Sequence, residues 1–180
     1  MSNPYASPEQ QQDDHQSSVL SVDIAADVRG MQIVTLALAA GACTLFLIML
    51  VINAGAIDGE PDITSWIGLG MAGFMFVNHL VVPRAIVKSQ LQKLNSKSLL
   101  TFTDEEKVAA ALGPIRGGHI IGCAMLEGAA FMNLIFYMTT SFIGNLMAAA
   151  VLIVFLLLKV PTLHGMQNKV TNQLREIEMR

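Results

Sequence analysis

One stretch constrains this chain more than any other: Gly117 to Thr139, GGHIIGCAMLEGAAFMNLIFYMT. It is apolar and long enough to cross a bilayer as a helix, and it carries one carboxyl deep inside, Glu127. From Gly117 to Glu127 a helix rises roughly 15 Å, about half of a hydrocarbon core about 30 Å thick. Glu127 is therefore expected near the midplane. A charge there costs on the order of 2.5–3.5 kcal/mol by insertion scales, so the acid is expected to be protonated, paired or turned toward other helices.

The rest of the chain agrees with a membrane setting. Of its 180 residues 53% are hydrophobic and only 14% are charged, and mean hydropathy is +0.52. That balance excludes an ordinary soluble domain of this size. Four stretches qualify as spans: about 31–53, 63–82, 117–139 and 144–160. The fold class expected is all-α, an integral membrane four-helix bundle in contact with lipid. Lys159 closes the fourth span and can snorkel to the headgroups.

All 11 Lys and Arg fall on one side of this four-span arrangement. Arg29 precedes the first span, and Arg84, Lys88, Lys93, Lys97, Lys107 and Arg116 lie between the second and third. Lys159, Lys169, Arg175 and Arg180 follow at the C-terminal end. The positive-inside rule then places both termini in the cytoplasm, and the expected location is a bacterial inner membrane. Nothing resembles a nucleic-acid-binding basic stripe. Cys43 and Cys123 lie at depths that differ by about 9 Å along their helices, so they read as small packing residues and not as a disulfide.

Residues 1–28 are polar and are expected to form a cytoplasmic tail, disordered to about Ser18. They lack the positive n-region of a cleavable signal peptide. The connection 84–116 is expected to hold two short surface helices. One, around 85–95, is amphipathic through Val87, Leu91 and Leu94; span 2 is expected to stop before it, at Pro83. The other opens with a capping box at Thr103 and Glu106 and is expected to stop at Gly113-Pro114. The tail 166–180 repeats the first: VKSQLQKL (87–94) aligns with VTNQLREI (170–177). A shift of 87 residues lays span 1 over span 3, matching Gly41 to Gly128 and Ala42 to Ala129, and spans 2 and 4 both run into Val-Pro. The chain thus reads as two duplicated hairpins of parallel orientation. Ala40 takes the place of Glu127 in the first copy.

Glu127 has two readings. As an ion-binding carboxylate it would carry a proton or sodium ion, with Asn78, His79 and His119 as a polar path inward. As a structural lock it would be a protonated acid making one interhelical hydrogen bond. Gly68, Ala72, Gly118, Gly122, Ala124 and Gly128 are small residues suited to close helix packing. No HExxH, GxSxG, phosphate loop or CxxC is present, so no catalytic, metal or cofactor site is expected. The functional expectation is a non-enzymatic packing or assembly component, as a homo-oligomer or in a membrane complex; the alternative is a proton or cation translocator.

The segment Met125-Leu126-Glu127-Gly128-Ala129-Ala130-Phe131 resembles small bacterial four-span membrane proteins with Leu-Glu-Gly in the third span and Pro closing the second and fourth. That resemblance covers roughly residues 31–165 and implies topology, since that group has no established activity. A fainter similarity is to the proteolipid (c-type) subunits of rotary ATPases, through GLGMAG in span 2, a polar loop and Glu127. It implies ion-carrying chemistry at the acid. The long connection, the missing Arg-Gln-Pro and two extra spans depart from that pattern.

Overall fold

The structure is a computed structural model; it describes residues 8–53, 59–93 and 102–178, with the side chains of 8–23, 93, 104–105, 174 and 176–178 excepted. Leu94 and Lys97, the Ala54–Asp58 part of the outer loop, and the Leu174 and Ile177 side chains of the tail repeat lie outside this description. Among the described residues there are five helices: α1 (Pro8–Ile52), α2 (Ile63–Lys93), α3 (Asp104–Thr140), α4 (Ile143–Leu158) and α5 (Leu163–Glu178). The molecule is all-helical. Three of the helices are long and apolar enough to span a membrane, within 24–52, 63–92 and 106–140. The count reaches four if α4 and α5, bent by 75° at a short break, serve as one broken span. Such a set is consistent with a multi-pass membrane protein.

Two expected breaks are absent. Span 2 does not end at Pro83, because α2 runs through it to Lys93. Gly113-Pro114 does not stop the second surface helix, because α3 continues from Asp104 to Thr140. An interior proline costs a helix ~3 kcal/mol through a lost bond and a clash with the preceding turn. Packing on both flanks outweighs it here. Around Pro114, Ala111, Leu112 and Ile115 are buried against Ile24, Val28 and Met31 of α1 and Met166 and Val170 of α5. Around Pro83, the chain nests on glycine. A Cβ on Gly122 would lie 3.2 Å from the Pro83 ring, and one on Gly118 would lie 3.2 Å from the Pro83 carbonyl oxygen. Only bare backbone lets α3 come this close.

The expected capping box is present at the start of α3. The Thr103 N–H donates to Glu106 Oε2 at 2.8 Å, and the Glu106 N–H donates to Thr103 Oγ1 at 3.4 Å. α1 begins at Pro8, within the stretch expected to be an unstructured tail. The tail helix α5 lays Met166 and Val170 onto α1 and α3 and so covers the end of the bundle.

α3 is the hub and touches every other helix. It is joined to α4 by a tight turn in which Ser141 adopts φ 53°, ψ 16° and donates its N–H to the Tyr137 carbonyl at 2.8 Å. α1 and α2 pack on α3 and α4, and are at most marginally in contact with each other. The main core joins Ala39 and Ala42 of α1, Ala72 of α2, Leu126 and Ala130 of α3, and Leu152 and Leu156 of α4. These are small residues facing large ones, which brings helix axes close while filling the space between them.

Candidate functional site

Glu127 sits on α3 at the seam with α1. Its side chain is half-buried, and Oε1 lies 3.6 Å from where a Cβ of Gly41 would be. Phe131 closes the same spot, 3.8 Å from that position. No hydrogen bond or ion pair joins the carboxyl to another described residue. The residues around it along the outward face are small: Ala37, Ala40, Gly41, Ala124 and Gly128 are all exposed.

The six small residues singled out from sequence divide accordingly. Gly68 and Ala72 are buried in α2, and Gly118 and Gly122 are buried against it from α3. Ala124 and Gly128 instead face outward, and a Cβ on Gly128 would meet nothing within 4 Å. Helical geometry explains the split. Gly118 and Gly122 are four residues apart and share a face, while Ala124 is turned roughly 200° from Gly122 at about 100° per residue. Small-xxx-small spacing runs the length of α3, but on two opposite sides.

A line of polar groups leads away from Glu127. His119, Cys123 and Glu127 follow at i, i+4 and i+8, so they share one face of α3. Thr35 of α1 meets the first two. Its hydroxyl donates to the Met31 carbonyl at 2.8 Å, which leaves it to accept from His119 Nε2 at 2.9 Å. With its one proton committed to Met31, the hydroxyl selects the Nε2–H tautomer of His119. Cys123 Sγ lies 3.6 Å from the same nitrogen and 3.9 Å from Thr35 Oγ1. Both cysteines are free thiols.

Of the three residues expected as a polar path, two share a cavity and one does not. His79 and His119 line one cavity of about 850 Å³ at the end of the bundle where the basic residues gather. His79 is almost fully buried, with Nδ1 against the Phe76 carbonyl and its ring 4.9 Å from that of Phe76. Asn78 stands apart, because its amide donates to the Phe74 carbonyl of its own helix at 2.8 Å. A side chain tied to the turn beneath it has no reach toward α3.

Sequence reasoning passed over two polar groups. Thr35 was hidden inside an apolar run and has no charge to draw notice. Asn145 of α4 is fully buried with neither amide atom bonded, beside Asn133, whose Oδ1 is likewise unpartnered while its Nδ2 donates to the Ala129 carbonyl at 2.9 Å. Both amide oxygens close on Gly68, at 3.1 and 3.3 Å from where its Cβ would be. Among the described residues no three of His, Cys, Asp and Glu converge as a metal site.

The chain was compared with known protein families, curated proteins and solved structures. It matches none of them.

Proposed function

We propose that the protein is a multi-pass assembly component of a bacterial inner membrane that pairs with a second copy of itself across the α1–α3 face, with Glu127 at the contact. The carrying observation is a half-buried carboxyl at that seam without a hydrogen-bond partner among the described residues. In hydrocarbon an unsatisfied polar group costs several kcal/mol, which favours a partner from outside the chain. The lock expected from sequence thus moves from within the chain to between chains. A two-fold axis through the face would set Glu127 against Glu127, and two protonated carboxyls can each donate and accept. The exposed glycines and alanines beside it admit close approach of backbones.

In this reading the membrane unit is a four-helix antiparallel bundle with both termini cytoplasmic, supported by the one-sided distribution of Lys and Arg. Descent from two duplicated hairpins is supported by sequence, where the second and fourth apolar runs both lead into Val-Pro, though α2 continues through Pro83 and the chain breaks at Pro161. The resemblance to small four-span bacterial proteins belongs to the same proposal.

The test is self-association in lipid vesicles by energy transfer between labelled copies. Glu127→Leu and Gly128→Leu are expected to weaken the dimer by roughly 1–2 kcal/mol each, by the worth of an interhelical polar contact in model helices. Glu127→Gln, which still donates and accepts, should retain it, as should Val151→Leu on the outward face of α4. Unchanged association in both leucine variants at the seam would reject the reading.

The second reading, a proteolipid-like proton or cation carrier, is favoured by the alignment of His119, Cys123 and Glu127 from the cavity inward. Dicyclohexylcarbodiimide, which attacks protonated and accessible intramembrane carboxyls, separates the two. Labelling of Glu127 that is blocked by sodium, together with proton flux abolished by Glu127→Gln, would favour the carrier over the dimer.

A further inference from the structure

The cavity beneath His79 and His119 has a chemistry that the assembly reading does not use. It lies between about the last four turns of α2, the middle of α3, the break between α4 and α5, and α5 itself. Among the described residues four cations line it, Arg84, Lys88, Lys159 and Lys169, and no Asp or Glu does. None of the four is ion-paired with a described residue. Gathering cations without a counter-ion is unfavourable, and it is relieved by an anion that all of them face. The start of α5 adds to this field, because Thr162 just before it and Gly165 in its first turn also line the cavity and helix N-termini favour negative charge.

The remaining wall decides what kind of anion fits. Leu80 and Leu158 border the same cavity, and Leu158 is 76% exposed on the outward surface of the bundle. Leu80 stands one turn before Arg84 on α2 and Leu158 directly precedes Lys159, so the apolar edge of the cavity lies on the spanning side of these cations. A soluble anion has no use for the apolar edge, whereas a phospholipid presents a phosphate and acyl chains in that order. We infer that this cavity is a binding site for an anionic phospholipid, its phosphodiester held by Arg84, Lys88, Lys159 and Lys169 and its chains lying along Leu80 and Leu158. Basic pockets between membrane helices are a recurring means of holding such headgroups. The inference stands on observations separate from the Glu127 seam.

The experiment uses the full chain in detergent, stripped of lipid, with phosphatidylglycerol, phosphatidylethanolamine or inorganic phosphate added back. Native mass spectrometry reads retention and thermal unfolding reads stabilisation. Phosphatidylglycerol is expected to be retained and to raise the midpoint, with phosphatidylethanolamine well behind. The double variant Arg84→Gln/Lys159→Gln should weaken retention by on the order of tenfold. Lys88→Gln/Lys169→Gln repeats the test at exposed positions where the fold is not at stake, and Arg29→Gln, outside the cavity, should retain the lipid as the wild type does. Equal retention of the two lipids, or retention unchanged in both double variants, would overturn the site. Equal stabilisation by inorganic phosphate and phosphatidylglycerol would overturn the lipid as its source and assign the cavity to free phosphate.

Discussion

Gly68 of α2 is packed tightly against α3 and α4. A Cβ there would lie 2.6 Å from Phe136 Cδ2 as well as near the two asparagine oxygens. Gly68→Ala is therefore expected to destabilise the bundle by about 1–3 kcal/mol, the usual cost of forcing atoms into a filled interior, read by unfolding in mixed micelles. Gly70, two residues on, has nothing within 4 Å of its own Cβ position. Gly70→Ala is the matched substitution and should not lower stability, since alanine is the better helix former. Composition marks both glycines alike. Which one is a packing requirement depends on the rotation of α2 against α3, and that is set by Phe136, Asn133 and Asn145 on other helices.

At the scale of the helix, the start of α2 is fixed by Asp62. Its Oδ1 accepts from the Ser65 N–H at 2.8 Å and from the Ser65 hydroxyl at 3.0 Å. The backbone bond from Ser65 holds the Asp62 carboxyl below the ordinary value of 3.8. A carboxyl lowered in the folded state contributes stability above the unfolded pKa, and this is lost as pH falls through the lowered one. Stability is thus expected to fall below about pH 4, with Asp62→Asn losing that part of the pH dependence while keeping the cap. Unfolding midpoints between pH 6 and pH 3 check this. Much at this scale was legible in sequence: the apolar runs, the Thr103–Glu106 capping box and the turn at 140–143. The proline breaks were not. Pro83 and Pro114 are local signals, and they were overruled by contacts with residues far along the chain, Gly118 and Gly122 for one, Met31 and Met166 for the other. Glu127 was legible as an unusual residue, but its lack of a partner among the described residues could not be, because absence of a contact is a property of the packing and not of the local sequence. The cations of the cavity were each visible as separate charges, Arg84 and Lys88 in the connection, Lys159 at the end of the fourth span and Lys169 in the tail. Their convergence needed α2 to continue past Pro83 and the chain to bend after Leu158.

Across the whole molecule, α5 ties the two ends of the chain to its centre. Met166 is 2% exposed and packs with Val28 and Met31 of α1 and Ile115 of α3. The Gln32 side chain donates to the Pro161 carbonyl at 2.8 Å, which satisfies a backbone group left open by the break. Met166→Ala is expected to cost about 2–5 kcal/mol through the cavity it leaves. Because Met166 also lines the basic cavity, the same change should reduce the stabilisation given by phosphatidylglycerol, measured as the shift in unfolding midpoint. The bend after Leu158 has a further consequence. α4 has 16 residues, a length of roughly 24 Å, against about 30 Å for the hydrocarbon layer. α1, in contrast, offers an apolar stretch of 29 residues. In the proposed four-span arrangement, where α4 crosses alone, the layer beside α4 is expected to thin and the longer α1, which packs against it, to tilt. In that arrangement the thinned leaflet lies where Lys159 ends α4, and stability is expected to follow membrane thickness as well as lipid charge.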